Sequence, residues 1–400
     1  MSNVEEFRKI LVSELKNVPE GKTIKIIDTG YNQQFLQNIL FEFNNKVDCK
    51  VFAFDLYNVL HKIDYTGINF DNLSCDNYDF TNLKGIKINP QTIFRKDLCG
   101  TICNGVEFIG PFDGVMLDHT NFSGSKGAKI NPQTIYCKSL FGTKCSDVEF
   151  IGDFNDSIIK DTNFTGSKGA KIDPQTIRNK DMSGTKLGNV EFIGSFDGAK
   201  VNCANFTGSR GAKIDPQTIN ETDLSSTVCS DVEFIGDFYN VWIKKTDFTN
   251  SKGAKINPQT IYKKNMYGVK CSGVEFVDNF DGVWIKNVDF TGAKGVKINP
   301  QTVCEKNCSY VNFNGVEFIG PFDGTYIIGA NFEGSKGAKI NPQTIFNKEL
   351  ANVKCGNVEF TDTFDNSVNT KGIDFTGSNY LELTSLTINF RDKIKKLILK

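Results

Sequence analysis

An all-β solenoid is the fold class this sequence predicts, on three observations: a strict internal repeat, columns of phenylalanine within it, and short β segments broken by glycine. The string Asn/Asp-Pro-Gln-Thr begins at Asn89, Asn131, Asp173, Asp215, Asn257, Asn299 and Asn341, at one constant interval of forty-two positions, and seven of the ten prolines sit there. Val-Glu-Phe begins at Val106 and returns with the same spacing through Val358, without insertions.

Spacing this strict lets positions one interval apart be read as one column in one environment. The columns Phe108 to Phe360, Phe112 to Phe364 and Phe80 to Phe332, the last continued at Phe375 after a one-residue slip, hold 22 of the 34 Phe. Ile88 to Ile340, Ile93 to Ile345 with Val303 the exception, and Leu117, Ile159, Val201, Ile243, Ile285 and Ile327 are apolar too. These columns are expected to face inward. A unit of tiny strands cannot bury them alone, whereas stacked units bury them in one continuous core. Half of the interval is close to one four-sided coil of about five residues per side, so each repeat reads as two coils. About fifteen coils between Ile63 and Ile388, at about 4.8 Å each, would make a rod on the order of 70 Å long.

Two corners are legible. The column Gly114, Asp156, Gly198, Asn240, Gly282, Gly324 and Asn366 admits only residues that tolerate a positive φ, which predicts a left-handed turn. The proline of Asn-Pro-Gln-Thr fixes its own φ and sets another.

Within the repeats stand five-residue frames such as Ala204-Asn205-Phe206-Thr207-Gly208, Ala330-Asn331-Phe332-Glu333-Gly334, Lys96-Asp97-Leu98-Cys99-Gly100 and Lys180-Asp181-Met182-Ser183-Gly184. A variable residue, then Asn or Asp, then Leu, Phe or Met, then two mostly small residues: this resembles the pentapeptide-repeat family from roughly Ile63 to Phe375. The resemblance implies a right-handed quadrilateral β-helix with the central Leu or Phe pointing inward. Segments such as Ser167-Lys168-Gly169-Ala170-Lys171-Ile172 interrupt the five-residue beat. The resemblance also implies a second reading, a DNA-mimicking protein that binds a type II topoisomerase, as the fluoroquinolone-resistance members do.

Residues 1–60 lack the repeat and read as a small α/β unit, a cap or a partner site. Ser2 and Glu5 form a capping-box pattern ahead of Val4, Phe7, Leu11, Leu15 and Val18 on one helical face. Thr23 to Ile27 reads as a strand, Tyr31 to Phe43 as a second helix and Val51 to Phe54 as another strand. The solenoid is expected over 61–388. At its end Phe390, Ile394, Leu397 and Ile398, among Arg391, Lys393, Lys395 and Lys396, predict a short amphipathic helix over 389–400, a cap or the contact of a homodimer.

Chemistry is sparse. Lys plus Arg number 46 and Asp plus Glu 47, a net charge of −1, so no global field points to nucleic acid or an anionic membrane, and DNA mimicry lacks its acidic excess. Only His61 and His119 could supply imidazole, and neither lies near a nucleophile motif. Cys103, Cys145, Cys229, Cys271 and Cys355 share a column with Leu187 and Phe313, and Cys308 shares one with Leu98, Leu140 and Met182, so they read as core residues. Cys99 with Cys103 and Cys304 with Cys308 are the spacings that metal or disulfide chemistry would use. Asp28-Thr29-Gly30 matches an aspartic-protease loop in three residues but has no second copy, and reads as a strand-to-helix turn; an enzyme or ligand site in residues 1–60 would centre on Asp28. The invariant Gln91 to Gln343 column, with the Thr after each, reads as stacked amides and hydroxyls that satisfy one another and the corner backbone. Lys87 to Lys339 and Glu107 to Glu359 read as solvated charged ladders. The start carries no secretory pattern and no run approaches a membrane span, so a soluble, cytoplasmic protein is expected. The functional expectation is a non-enzymatic scaffold or interaction rod with no catalytic, cofactor-binding or metal residues, no cofactor, a protein partner, and neither nucleic acid nor membrane.

Overall fold

The computed structural model describes residues 24–26, 39–41, 70–72, 75–81, 83 and 85–380. The chain forms two compact units, Met1–Gly194 and Ser195–Lys400. Each is built from the same coil, and the described residues make about 14 turns, close to the fifteen expected over a slightly longer span.

In the first unit, one coil runs through the inward side chains Ile130, Ile135, Leu140 and Cys145 to Phe150, four steps of five. The next runs through Phe150, Phe154, Ile159 and Phe164 to Ile172, in steps of four, five, five and eight. The first coil is therefore two positions shorter than the second, which is why the five-residue beat is clean in one and broken in the other. The step of eight is a bulge. Glu149 pairs in parallel with Lys168, yet the next strand starts at Lys171, and Gly169 stands between at φ 72°. An alanine Cβ at Gly169 would lie 2.5 Å from the Phe150 carbonyl oxygen, so this position needs glycine for space as well as for φ.

The strands of the coils are two residues long and pair in parallel between successive coils: Lys129–Ile130 with Glu149–Phe150, and Lys171–Ile172 with Glu191–Phe192. Isolated parallel bridges such as Asn121 with Lys144, and Lys144 with Asn163, continue the stacking on other sides. Parallel pairing at each side gives every coil's backbone a partner in its neighbours, which tiny strands could not achieve alone.

The core is layered. Phe150, Phe154 and Phe164 form a triangle of rings with centroids 5.0, 5.5 and 5.6 Å apart, and the coil before them supplies Ile130, Ile135, Leu140 and Cys145. In the second unit Phe234, Phe238 and Phe248 make the same triangle at 5.1, 5.6 and 5.7 Å, followed by Ile256, Ile261, Met266 and Cys271. Aromatic and aliphatic layers alternate because ring triangles fill the cross-section and the smaller layer accommodates them from above and below. Phe313 departs from this, standing in a column otherwise of Cys and Leu, and it stacks on Phe332 at 5.1 Å.

The Gly114 column adopts the left-handed turn: φ is 70° at Gly114, 59° at Asp156, 70° at Gly198 and 56° at Asn240. The expected helix over Tyr31 to Phe43 is corrected in part. Ile39–Phe41 is strand β2, antiparallel to β1 (Ile24–Ile26), because an apolar β-prone triplet satisfies its backbone on a neighbouring strand as readily as in a helical turn. The helices expected near Val4 to Val18 and over 389–400, the strand at Val51 to Phe54, Asp28 and His61 lie outside the described residues.

Candidate interaction faces

The corner at Asn-Pro-Gln-Thr is a closed hydrogen-bonded unit. Asn131 Oδ1 accepts from the Gln133 amide at 3.0 Å, and the Asn131 carbonyl accepts from the Thr134 amide at 3.1 Å and from Thr134 Oγ1 at 3.2 Å. Gln133 Nε2 then reaches up one coil, donating to the carbonyls of Asp153 at 3.0 Å and Asn155 at 2.6 Å. The Thr134 carbonyl accepts from the Gly114 amide at 2.7 Å, which ties the left-handed turn to the same corner. The glutamines thus bind the backbone of the intervening coil. Direct Gln-to-Gln stacking, one version of the sequence expectation, is excluded because glutamines of successive repeats are two coils apart.

A lysine completes most of these corners. Lys96 Nζ donates to Gln91 Oε1 at 2.6 Å, and Lys180, Lys264, Lys306 and Lys348 do the same on their glutamines at 2.5–2.7 Å. Each of these lysines is the second of two consecutive residues at positive φ: Arg95 and Lys96 are at 54° and 52°, and the Asp97 amide closes the turn on the Phe94 carbonyl at 3.3 Å. Two left-handed residues and that bond define a type I′ turn made without Gly or Asn in several repeats.

One outer side carries ion pairs at every repeat, with Lys129 to Glu149 at 3.1 Å and Lys171 to Glu191 at 3.3 Å in the first unit, and Lys213 to Glu233 at 3.1 Å and Lys297 to Glu317 at 3.2 Å in the second. About half or more of each side chain stays in water, so each pair contributes little stability. Beside it runs a column unmarked by the sequence reading: Ile109, Ile151 and Ile193, and in the second unit Ile235, Val277 and Ile319, each 58–63% exposed. An apolar residue that recurs in the open at six successive repeats, until Thr361 takes the place in the seventh, belongs to a surface, because nothing in the coil buries it.

The candidate chemical residues fall into the core or stand apart. Cys103, Cys145, Cys229, Cys271 and Cys355 are fully buried free thiols, and burial pushes them up out of the range in which a thiolate forms. Burial first, and then the hydrogen bond and charge of Asp97, push Cys99 up to about 12. Cys304 is a free thiol with its pKa raised by burial and then by Glu305, and Cys308 is buried and raised further. The His119 ring lies edge-on to Phe141 at 4.9 Å, and it is the one histidine among the described residues. Among the described residues no group of three or more His, Cys, Asp or Glu is placed to hold a metal ion, and no helix is long and apolar enough to cross a membrane.

Sequence reasoning also passed over buried hydroxyls. Thr143 Oγ1 donates to the Leu117 carbonyl at 2.9 Å and Thr162 Oγ1 to the Leu140 carbonyl at 2.7 Å, both fully buried. The signal was weak because Val269, Val311 and Val353 occupy the Thr143 column, so it reads as merely β-branched.

No protein-family model matches the chain, and no curated protein matches it. Among solved structures, the chain is similar to QnrB1, a plasmid-mediated fluoroquinolone resistance protein, at 14% identity over 67% of this chain and 97% of that one, with a TM-score of 0.13. It is also similar to HetL, a pentapeptide repeat protein involved in heterocyst differentiation regulation from the cyanobacterium Nostoc sp. strain PCC 7120, at 13% identity over 78% and 90% of the two chains, with a TM-score of 0.13. The parallel coils, with inward side chains mostly five positions apart, are themselves the architecture that the pentapeptide-repeat resemblance implied.

Proposed function

We propose that this protein is a non-enzymatic interaction solenoid of the cytoplasm, which recognises a protein partner through its outer columns. One observation carries the reading: the interior is filled layer by layer, while the outside repeats uniform columns, above all the exposed Ile109 to Ile193 and Ile235 to Ile319 series. Among the described residues, the groups with shifted pKa are cysteines raised by burial and charged groups held by local hydrogen bonds or by surface pairs such as Asp156 with Arg178, an arrangement of structural rather than catalytic chemistry. The alternating Lys and Glu ladder speaks against the continuous acidic stripe that DNA mimicry needs.

Affinity capture from native lysate tests this, with the full chain as bait beside chains lacking residues 1–60 or 389–400 and a full chain carrying Ile151→Glu and Ile235→Glu. A discrete partner held by the full chain and lost on the double substitution is the expected result. Equal retention of every captured protein by the substituted bait would remove the outer column from the reading.

A further inference from the structure

Both tryptophans of the chain stand in one outward column of the second unit. Trp242 and Trp284 are one repeat apart, and Tyr326 follows at the same interval. The coil after Trp242 lays Tyr262 on it, ring centroids 3.9 Å apart and planes 11° apart, and the coil after Tyr326 lays Phe346 on it at 3.8 Å and 28°. Trp242 is 42% exposed and Trp284 is half-buried, so this is a surface ridge and not a second core.

Lysines line the ridge. Lys244, Lys245 and Lys263 are exposed and Lys286 is half-exposed. Lys263 Nζ stands 5.1 Å from the Tyr262 ring centre, and Lys244 Nζ 5.5 Å from that of Tyr267. The ion pairs of this stretch use other lysines: Lys255 with Glu275, and Lys270 with Asp247 at 2.8 Å. Aromatic faces and unanswered cations together call for a partner that is both stackable and anionic.

We propose that the ridge docks an acidic, proline-rich segment of a partner protein in the polyproline II conformation. That helix has three residues per turn and rises about 3.1 Å per residue, so every third residue returns to one side after about 9.3 Å. Two coils of the solenoid rise about 9.6 Å. Prolines three apart therefore meet Trp242, Trp284 and Tyr326 in turn, while carboxylates between them face Lys244, Lys263 and Lys286. An extended strand returns a side chain to one face after about 6.7 Å and loses this register. The segment's backbone has no internal hydrogen bonds to break and little freedom to lose, which lowers the cost of laying it along the aromatic column. A single-stranded nucleic acid also seeks aromatics and cations, but Trp242 and Tyr262 cover each other's facing sides, leaving no slot for a base between them.

This deepens the interaction reading and rests on it. The probe is a peptide of about twelve residues repeating Pro-Pro-Glu, titrated into the full chain with intrinsic tryptophan fluorescence as the readout, since both reporters sit on the ridge. A Gly-Ser-Glu peptide of equal charge and length and a thymidine oligonucleotide are the comparisons. Saturable binding of Pro-Pro-Glu, at least about tenfold tighter than of either comparison, is expected. Lys263→Glu, at an exposed position, should weaken it about tenfold, and so should Trp284→Ala, with the far-ultraviolet spectrum unchanged. No saturable change, or equal binding of Gly-Ser-Glu or the oligonucleotide, overturns the proposal. Partner capture that persists alongside such a failure leaves the interaction reading standing and removes only the ridge.

Discussion

At single positions, the repeat acts as a set of internal controls. Ser167 is buried with its Oγ unpartnered, and Ala293 stands in the same column. Ser167→Ala should therefore leave stability within about 0.5 kcal/mol or raise it, because it removes a buried hydroxyl without stranding a partner. Gly169→Ala should cost at least about 2 kcal/mol, the sum of left-handed strain and the approach to the Phe150 carbonyl. Chemical denaturation checks both. Glycine at 169 was visible in the sequence as an interruption of the beat, but its reason is a carbonyl on the preceding coil, a contact that no local pattern encodes.

Turns and corners are the elements in which hydrogen bonds between coils concentrate. Gln259 donates to the carbonyls of Asn279 at 3.0 Å and Asp281 at 2.9 Å and accepts from Lys264, whereas the coil of Gln217 has Thr222 where the others have lysine. Gln259→Leu should cost about 1–3 kcal/mol, and Gln217→Leu less, since no ammonium loses its acceptor. Asp247 gives a pH signature. Burial raises its pKa, but hydrogen bonds from Lys270 and Thr249 outweigh burial and hold the carboxyl below its ordinary value, while Lys270 is raised in turn. A carboxyl depressed in the folded state stabilises above its unfolded pKa, and that stability fades as pH falls through the folded value. Asp247→Asn should be less stable than the parent at neutral pH, and the gap should close as pH falls through the folded-state value, as denaturation midpoints at neutral and at acid pH would show. Which columns were corners was legible from Pro, Gly and Asn. The type I′ turns were not, because Arg95-Lys96 and Glu221-Thr222 are poor turn formers held in place by the coils around them.

Across each unit, the alternation of aromatic and aliphatic layers makes the two-coil repeat, not the single coil, the unit of construction. Removing Asn131–Ile172 takes out one complete repeat and should preserve a cooperative thermal transition, since every layer meets its proper neighbour. Removing only the aliphatic coil, from Ile130 to Glu149, brings two phenylalanine triangles together and should lower the transition sharply or abolish it. Near-equal transitions for the two deletions would show that the layers are interchangeable.

Strict periodicity alone was enough to establish the solenoid, the inward columns, the burial of Cys308 and of the cysteines from Cys103 to Cys355 in one column, and the left-handed turn at Gly114, because each is a property written into a single column. Tertiary structure alone decided three things. It divided the repeat into a shorter aliphatic and a longer aromatic coil, it aimed each glutamine at the backbone of the intervening coil, and it brought Trp242 beneath Tyr262, a full coil away in sequence. The physical reason is common to all three: a column reports what lies two coils away, whereas contact is made with the coil adjacent, and that register is set by packing.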